Sequence, residues 1–321
     1  MALNNISYKI HHEKGFMNPI SFTEVVEYLR TIVLVDDQVD HDILKKSQFE
    51  MDDYRRIHSR RLWRSMQLIQ KWSPADGIRQ ILELGAMPYY FTALLYRCFS
   101  EVKVTGVNVH AGVWEDTATI GPHLEYVTLK HGANRQDKVP IQVFNLETTR
   151  YPFPDNEFDW VLCMEIIEHL AYSPSHMLAE AHRVLKPGGR MLLTTPNAID
   201  LRKTLNLVLN RSSGFPYSGY GIYGRHNREF TLAELRSLTE ACGYRVLAAW
   251  LENITLRQHY SRTKRWLFKL LTLWTDLPLP YIKNKREYIF LVAESTGKPI
   301  FSYPPDLYLF PHLYPENSQT R

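Results

Sequence analysis

From residue 78 to residue 293 the chain alternates short apolar runs with helix-like segments, and that alternation leaves few folds open. Residues 78–84, 102–109, 141–146, 159–164, 190–195, 244–250 and 287–293 read as strands. Residues 89–99, 176–186 and 231–242 read as helices, the last two stopped by Pro187-Gly188-Gly189 and by Gly243. Strands that alternate with helices predict a mostly parallel sheet covered on both faces, an α/β fold. Ligands of such sheets lie at the carboxyl ends of the strands, so the residues just after each strand are the ones to search.

Two ends stand out. After 159–164 comes Cys163-Met164-Glu165-Ile166-Ile167-Glu168-His169-Leu170, with three proton-handling or metal-ligating groups in five residues. Glu165, Glu168 and His169 are spaced by three and four, so a chain that turns helical at the strand end places them on one face. After 78–84 comes Glu83-Leu84-Gly85-Ala86-Met87-Pro88, an acid two residues before a glycine at a strand-to-helix turn. There Gly85 permits close backbone approach and a helix start offers amide donors. A strand–glycine–helix turn also occurs in α/β proteins that bind nothing at it.

Taken in order, the acid–glycine loop, Tyr151-Pro152-Phe153-Pro154-Asp155, the Glu/His run, Arg183-Val184-Leu185-Lys186-Pro187-Gly188-Gly189 and Thr194-Thr195-Pro196-Asn197 resemble the class I S-adenosylmethionine-dependent methyltransferases over roughly residues 78–295. The resemblance implies a Rossmann-like sheet and S-adenosyl-L-methionine as cofactor. It implies that Glu83 and Gly85 lie by the methionine part of the cofactor, Asn108 by the ribose, Asn145 by the adenine and Met164 beside the sulfonium. The chain departs from the pattern twice. Ala86-Met87-Pro88-Tyr89 stands where two further glycines are usual, and Asn108 replaces an acid, although an amide still hydrogen-bonds a diol.

The Glu/His run is also similar to that of small-RNA 2′-O-methyltransferases and ubiquinone-pathway O-methyltransferases, which hold a divalent metal there with a further His before a later helix. Carried over, that set is Glu165, Glu168, His169 and His226, and its chemistry suits Mg²⁺ or Mn²⁺. Without a metal, His169 or His226 would be a general base, with Glu165 beside them, or the run would only cap a helix. The loop 217–228, dense in Tyr, Gly, Arg and Asn, reads as an acceptor lid in which Tyr220, Tyr223, Arg225 and Arg228 meet a sugar ring or phosphate. Its plainer reading is a surface loop whose tyrosines pack on the sheet. Loops of this kind resemble those of bacterial glycan-pathway methyltransferases, which implies O-methylation of a small-molecule or glycan acceptor. RNA 2′-O-methylation and a non-catalytic cofactor-binding scaffold are the alternatives.

Around this domain (78–296) the reading places a helical extension (1–77) and an aromatic, Pro-rich tail (297–321). Ser21-Phe22-Thr23-Glu24 reads as a capping box, and 54–72 as a second helix. A formal charge of +4 gives no argument for nucleic acid, and no RNA-binding module is visible. Cys98, Cys163 and Cys242 lie in apolar segments without ligand spacing, and no signal peptide is seen, so the expected compartment is the cytoplasm. Residues 257–290 hold eight Lys/Arg against two acids. Within them 262–271 reads as a basic amphipathic helix, either resting on the inner face of a membrane or packed on the sheet.

Overall fold

A computed structural model describes residues 20–35, 41–73, 77–108, 122–132, 135–214, 216–217, 221–254, 261–275, 277, 282 and 284–309. Its centre is a nine-stranded sheet. The strands are β1 (Ile32–Val35), β2 (Gln80–Leu84), β3 (Lys103–Asn108), β4 (His123–His131), β5 (Arg135–Val143), β6 (Phe158–Met164), β7 (Leu185–Pro196), β8 (Tyr244–Glu252) and β9 (Tyr288–Ser295), in the spatial order β1-β4-β5-β3-β2-β6-β7-β9-β8. β5, β3, β2, β6 and β7 run parallel, and β9 is inserted antiparallel between β7 and β8. The chain winds outward from β2 in both directions, so the crevice between the carboxyl ends of β2 and its neighbours is the switch point at which such sheets take ligands. β2 and β6 are largely apolar because helices cover both of their faces, with Glu83 and Asp159 as acids within them.

Seven helices complete the described fold: α1 (Phe22–Leu29), α2 (His41–Trp72), α3 (Tyr90–Cys98), α4 (Pro174–Val184), α5 (Leu201–Val208), α6 (Leu232–Ala241) and α7 (Arg262–Thr275). Both expected caps form: Ser21 and Glu24 cap α1 reciprocally, as do Thr231 and Glu234 for α6. Two apolar layers sandwich the sheet. One joins Ile81, Val104, Tyr90 and Leu94 to Val25 and Leu29 of α1 and to Leu62, Met66 and Ile69 of α2. The other packs Leu82, Val161 and Leu193 against Leu178 of α4 and Leu235 of α6. The N-terminal helices therefore share the core of the sheet. From the tail, Tyr303 is buried and the Tyr308 hydroxyl bonds with Ser173 and Ser175 at the start of α4. All three cysteines are buried and unpaired.

Some elements differ from expectation. The strand read at 141–146 starts at Arg135 and ends at Val143, because its polar first half pairs antiparallel with β4, from His131 opposite Arg135 to His123 opposite Val143. Main-chain pairing in that hairpin does not need apolar side chains, so β4 left no periodic mark. β1 adds a further antiparallel strand on the same edge. α2 begins at His41, thirteen residues before the helix read at 54–72.

Candidate active site

The switch-point crevice opens as a cleft of about 310 Å³ lined by Tyr54, Arg61, Glu83, Gly85, Met87 and Met164, among others. Gly85 has a φ of 65°, and a Cβ there would meet Ile166 Cδ1 at 1.9 Å, so both its conformation and its neighbour require glycine. The amides of the turn are directed inward: Gly85 and Ala86 donate to the Val107 carbonyl, and Met87 donates to Asn108 Oδ1. Asn108 Nδ2 donates in turn to the Tyr89 hydroxyl at 2.7 Å. Asn108 thus organises the loop that lacks the extra glycines, while one N–H and one lone pair of its amide remain for a diol.

The cleft's charge comes from a residue outside the expected site. Arg61 of α2 is 2% exposed, its Nη2 donates to the Tyr54 hydroxyl, and its Nη1 lies 2.9 Å from Glu165 Oε1. Its Nε and Nη1 make no geometrically sound hydrogen bond, which leaves buried donors at a cleft lined by Gly85 and Met164. Such donors fit the carboxylate of an amino-acid-like cofactor. Arg61 and Tyr54 carried no sequence signal beyond their place in a helix rich in Arg.

Glu83 is buried and accepts a hydrogen bond from Thr92 Oγ1; burial raises its carboxyl to about 8. An acid with a raised folded-state value holds its proton when the unfolded chain has already released it. Folding stability therefore falls as pH rises from about 4.5 to about 8. In Glu83→Gln, urea unfolding is expected to lose that slope and to leave the variant more stable than the parent at pH 8; an unchanged slope would refute the buried acid.

On the other side of β6, the chain does not turn helical at the strand end. Glu165 adopts a φ of 58°, and only Ile167–His169 close a single 3-10 turn. The expected common face is therefore split. Glu165 turns toward Arg61 and accepts from Thr194 Oγ1 at 3.0 Å, while Glu168, His169 and His226 converge with one ligand atom each, all within 4.8 Å of one another. The expected grouping of four is thus a grouping of these three, because the left-handed residue at the strand end directs Glu165 toward Arg61.

Glu168 is fully buried, takes one hydrogen bond from Thr195 Oγ1 at 2.9 Å, and leaves Oε1 without a partner. Burial raises its carboxyl, opposed by His226 alongside. His169 is lowered to about 4 by burial and then by His226, opposed by the backbone of Tyr223 and Arg225, and its Nδ1 makes no geometrically sound hydrogen bond. The rings of His169 and His226 meet edge to face at 4.9 Å. The unpartnered Glu168 oxygen beside two imidazoles fits a divalent cation.

His226 is held by a network that the sequence did not announce. Its Nδ1 lies 2.8 Å from Glu229 Oε1, and Glu229 also contacts the buried Lys203, which is paired with Asp200 at the start of α5. Asn227 staples the loop to the turn, its backbone N–H donating to Glu168 O and its Nδ2 to His169 O. Of the expected acceptor residues, Tyr223 is present, its hydroxyl accepting from Asn145 Nδ2 at 2.9 Å. Arg225 sits between Asn227 Oδ1 and the Tyr217 ring. Arg228 does not join them: it is half-exposed and bonds to Glu234, because the α6 cap draws it away. Tyr220 lies outside the described residues.

Comparison with known proteins bears on this arrangement. Residues 82–193 match the family described as Methyltransferase domain. A probable S-adenosylmethionine-dependent methyltransferase of Mycolicibacterium smegmatis is 31% identical over 185 residues, 54% of this chain and 66% of the relative. Residues 82–193 thus carry a methyltransferase domain, and the chain is similar to S-adenosylmethionine-dependent methyltransferases. A ubiquinone biosynthesis O-methyltransferase of Xanthomonas oryzae is 33% identical over 151 residues, covering 44% of this chain and 62% of the relative. The chain thus spans just under two thirds of these curated methyltransferases. A solved S-adenosylmethionine-dependent methyltransferase from Archaeoglobus fulgidus superposes on 79% of this chain and all of its own, at 15% identity and a TM-score of 0.44. The family match runs from β2 to β7 and omits Arg61, Lys203, His226 and Glu229.

Proposed function

We propose that the chain transfers a methyl group from S-adenosyl-L-methionine to a hydroxyl oxygen, with a sugar of a glycan or glycolipid precursor as acceptor. The observation that carries the reading is the group of buried Glu168 with the partly buried His169 and His226, set directly behind the strand end that borders the cofactor cleft. Support for oxygen as the attacking atom comes from the likeness to the Xanthomonas O-methyltransferase. Support for a sugar comes from the adjoining loop, in which Tyr223 and the Arg225–Tyr217 pair offer flat faces and guanidinium donors. The three buried, unpaired thiols fit a reducing compartment, and we place the protein in the cytoplasm.

In this reading Arg61 and Met164 face the methionine end of the cofactor, and Asn108 the ribose. Glu229 only accepts, so the His226 Nδ1 carries a proton and Nε2 keeps its lone pair. That lone pair is positioned to take the hydroxyl proton while the oxygen attacks the methyl carbon and the sulfonium sulfur departs as a neutral thioether. Alternatively, that same lone pair, with Glu168 and His169, would hold Mg²⁺ or Mn²⁺, which when bound would lower the pKa of an acceptor hydroxyl; His226 would then be a ligand and not the base. His169 stays neutral down to about pH 4, so it remains an available ligand across the physiological range.

The test is calorimetric titration of chelator-treated protein with S-adenosylhomocysteine, with and without Mn²⁺, alongside Glu168→Ala. The expected result is cofactor-product binding in both proteins and a Mn²⁺ signal lost in the variant. Cofactor-product binding without any Mn²⁺ signal would leave His226 as the base and remove the metal. No binding of S-adenosylhomocysteine would refute the methyl-transfer reading.

A further inference from the structure

α5 and α7 both leave the sheet at the ligand end. α5 follows the end of β7 and α7 follows the end of β8, which runs parallel to β7 through the reversed β9. Both are tied to one segment: the Leu201 amide donates to the Lys285 carbonyl, and Asn253 bridges Thr275 of α7 to the Glu287 amide. Each helix turns apolar side chains to solvent. On α7, Trp266 is 63% and Trp274 49% exposed, with Leu270 and Leu273 between them. Steps of four, seven and eight from Trp266 put these on one side of the helix, and exposed Leu277 continues the stripe beyond its end. On α5, Leu207, Val208 and Leu209 are 60–76% exposed.

Solvent-facing tryptophans and leucines on two elements anchored to one segment exceed the scattered apolar exposure of an ordinary surface. Their charge setting decides what covers them. Neither helix contains an acid, and exposed Arg262 and Lys269 flank the α7 stripe, as Arg202 flanks the α5 one. A second copy would bring like charges together, whereas an anionic surface would be attracted. Among the described residues no helix is long and apolar enough to cross a bilayer, so such a surface would be met side-on.

We propose that α5 and α7 form a docking face for an anionic lipid bilayer, the tryptophans entering the headgroup–acyl boundary and the arginines and lysine meeting lipid phosphates. Because the face lies at the ligand end of the sheet, the bilayer is brought to the mouth of the site. The further consequence, that the acceptor hydroxyl is carried on a lipid, rests on the methyl-transfer reading above.

The experiment is co-sedimentation of the full chain with phosphatidylcholine vesicles with and without phosphatidylglycerol, at low and high ionic strength. Binding is expected only to the anionic vesicles and is expected to weaken with salt. Trp266→Asp/Trp274→Asp and, separately, Arg262→Glu/Lys269→Glu are each expected to reduce it on the order of tenfold. S-adenosylhomocysteine affinity, measured on the same preparations, is expected to be unchanged. It verifies folding and separates failure of the docking face from failure of the cofactor reading. Equal binding to neutral and anionic vesicles, no binding, or variants that bind as the parent does would overturn the proposal. So would a dimer in size-exclusion chromatography that only the tryptophan variant dissociates, since the stripe would then be a self-interface.

Discussion

His226→Ala is expected to lower methyl transfer by about 10²–10⁴-fold, the range for loss of a positioned acid–base group, while S-adenosylhomocysteine affinity stays near the parent value. The separation follows from geometry. His226 is held by Glu229 and faces Glu168 and His169, whereas the cleft lined by Gly85, Arg61 and Met164 lies across β6. Glu229→Gln tests the same arrangement more gently. An amide offers the imidazole no charge, so the fall should be smaller and should appear in the rate at saturating acceptor. A large loss of cofactor-product affinity in His226→Ala would contradict the placement.

Gly85→Val is expected to have the largest effect on the cofactor side. The new Cβ would overlap Ile166 Cδ1, and the φ of 65° is one that a β-branched residue resists. Backbone strain and overpacking each cost about 1–3 kcal/mol. Thermal unfolding should therefore shift down by several degrees, and S-adenosylhomocysteine titration should show at least a tenfold weaker site, about 1.4 kcal/mol. Pairing the change with Ile166→Ala should recover the steric part and not the backbone part, so the two effects separate in a double-mutant cycle. Parent-like affinity in Gly85→Val would refute the loop as a binding element.

The sequence was most legible where one physical rule determines the outcome. The β2, β6 and β7 runs are largely apolar because both sides of the sheet are covered, and their ends marked the crevice correctly. The Glu168, His169 and His226 grouping was also readable, since resemblance paired a run after one strand with a His before a later helix. Glu165 was misplaced because a single left-handed residue reverses a side chain without changing any spacing. Arg61, Lys203 and Glu229 went unread for another reason. Their roles depend on which distant elements they meet, and a buried charge in a helix looks in sequence like a solvated one. The polar hairpin strand β4 was silent for want of apolar period.

The bridge from Arg61 to Glu165 bears on modularity. The stretch that matches the family begins at Leu82, yet its strand-end carboxylate is neutralised by a side chain twenty-one residues upstream of that boundary, and its core is filled by Leu62, Met66 and Ile69. A graft of residues 82–193 into another scaffold would carry the signature of the family but leave a partly buried anion without its counter-ion and one side of the sheet bare. The unit that selection can move intact is therefore larger than the unit that sequence comparison sees, and α2 has to travel with it.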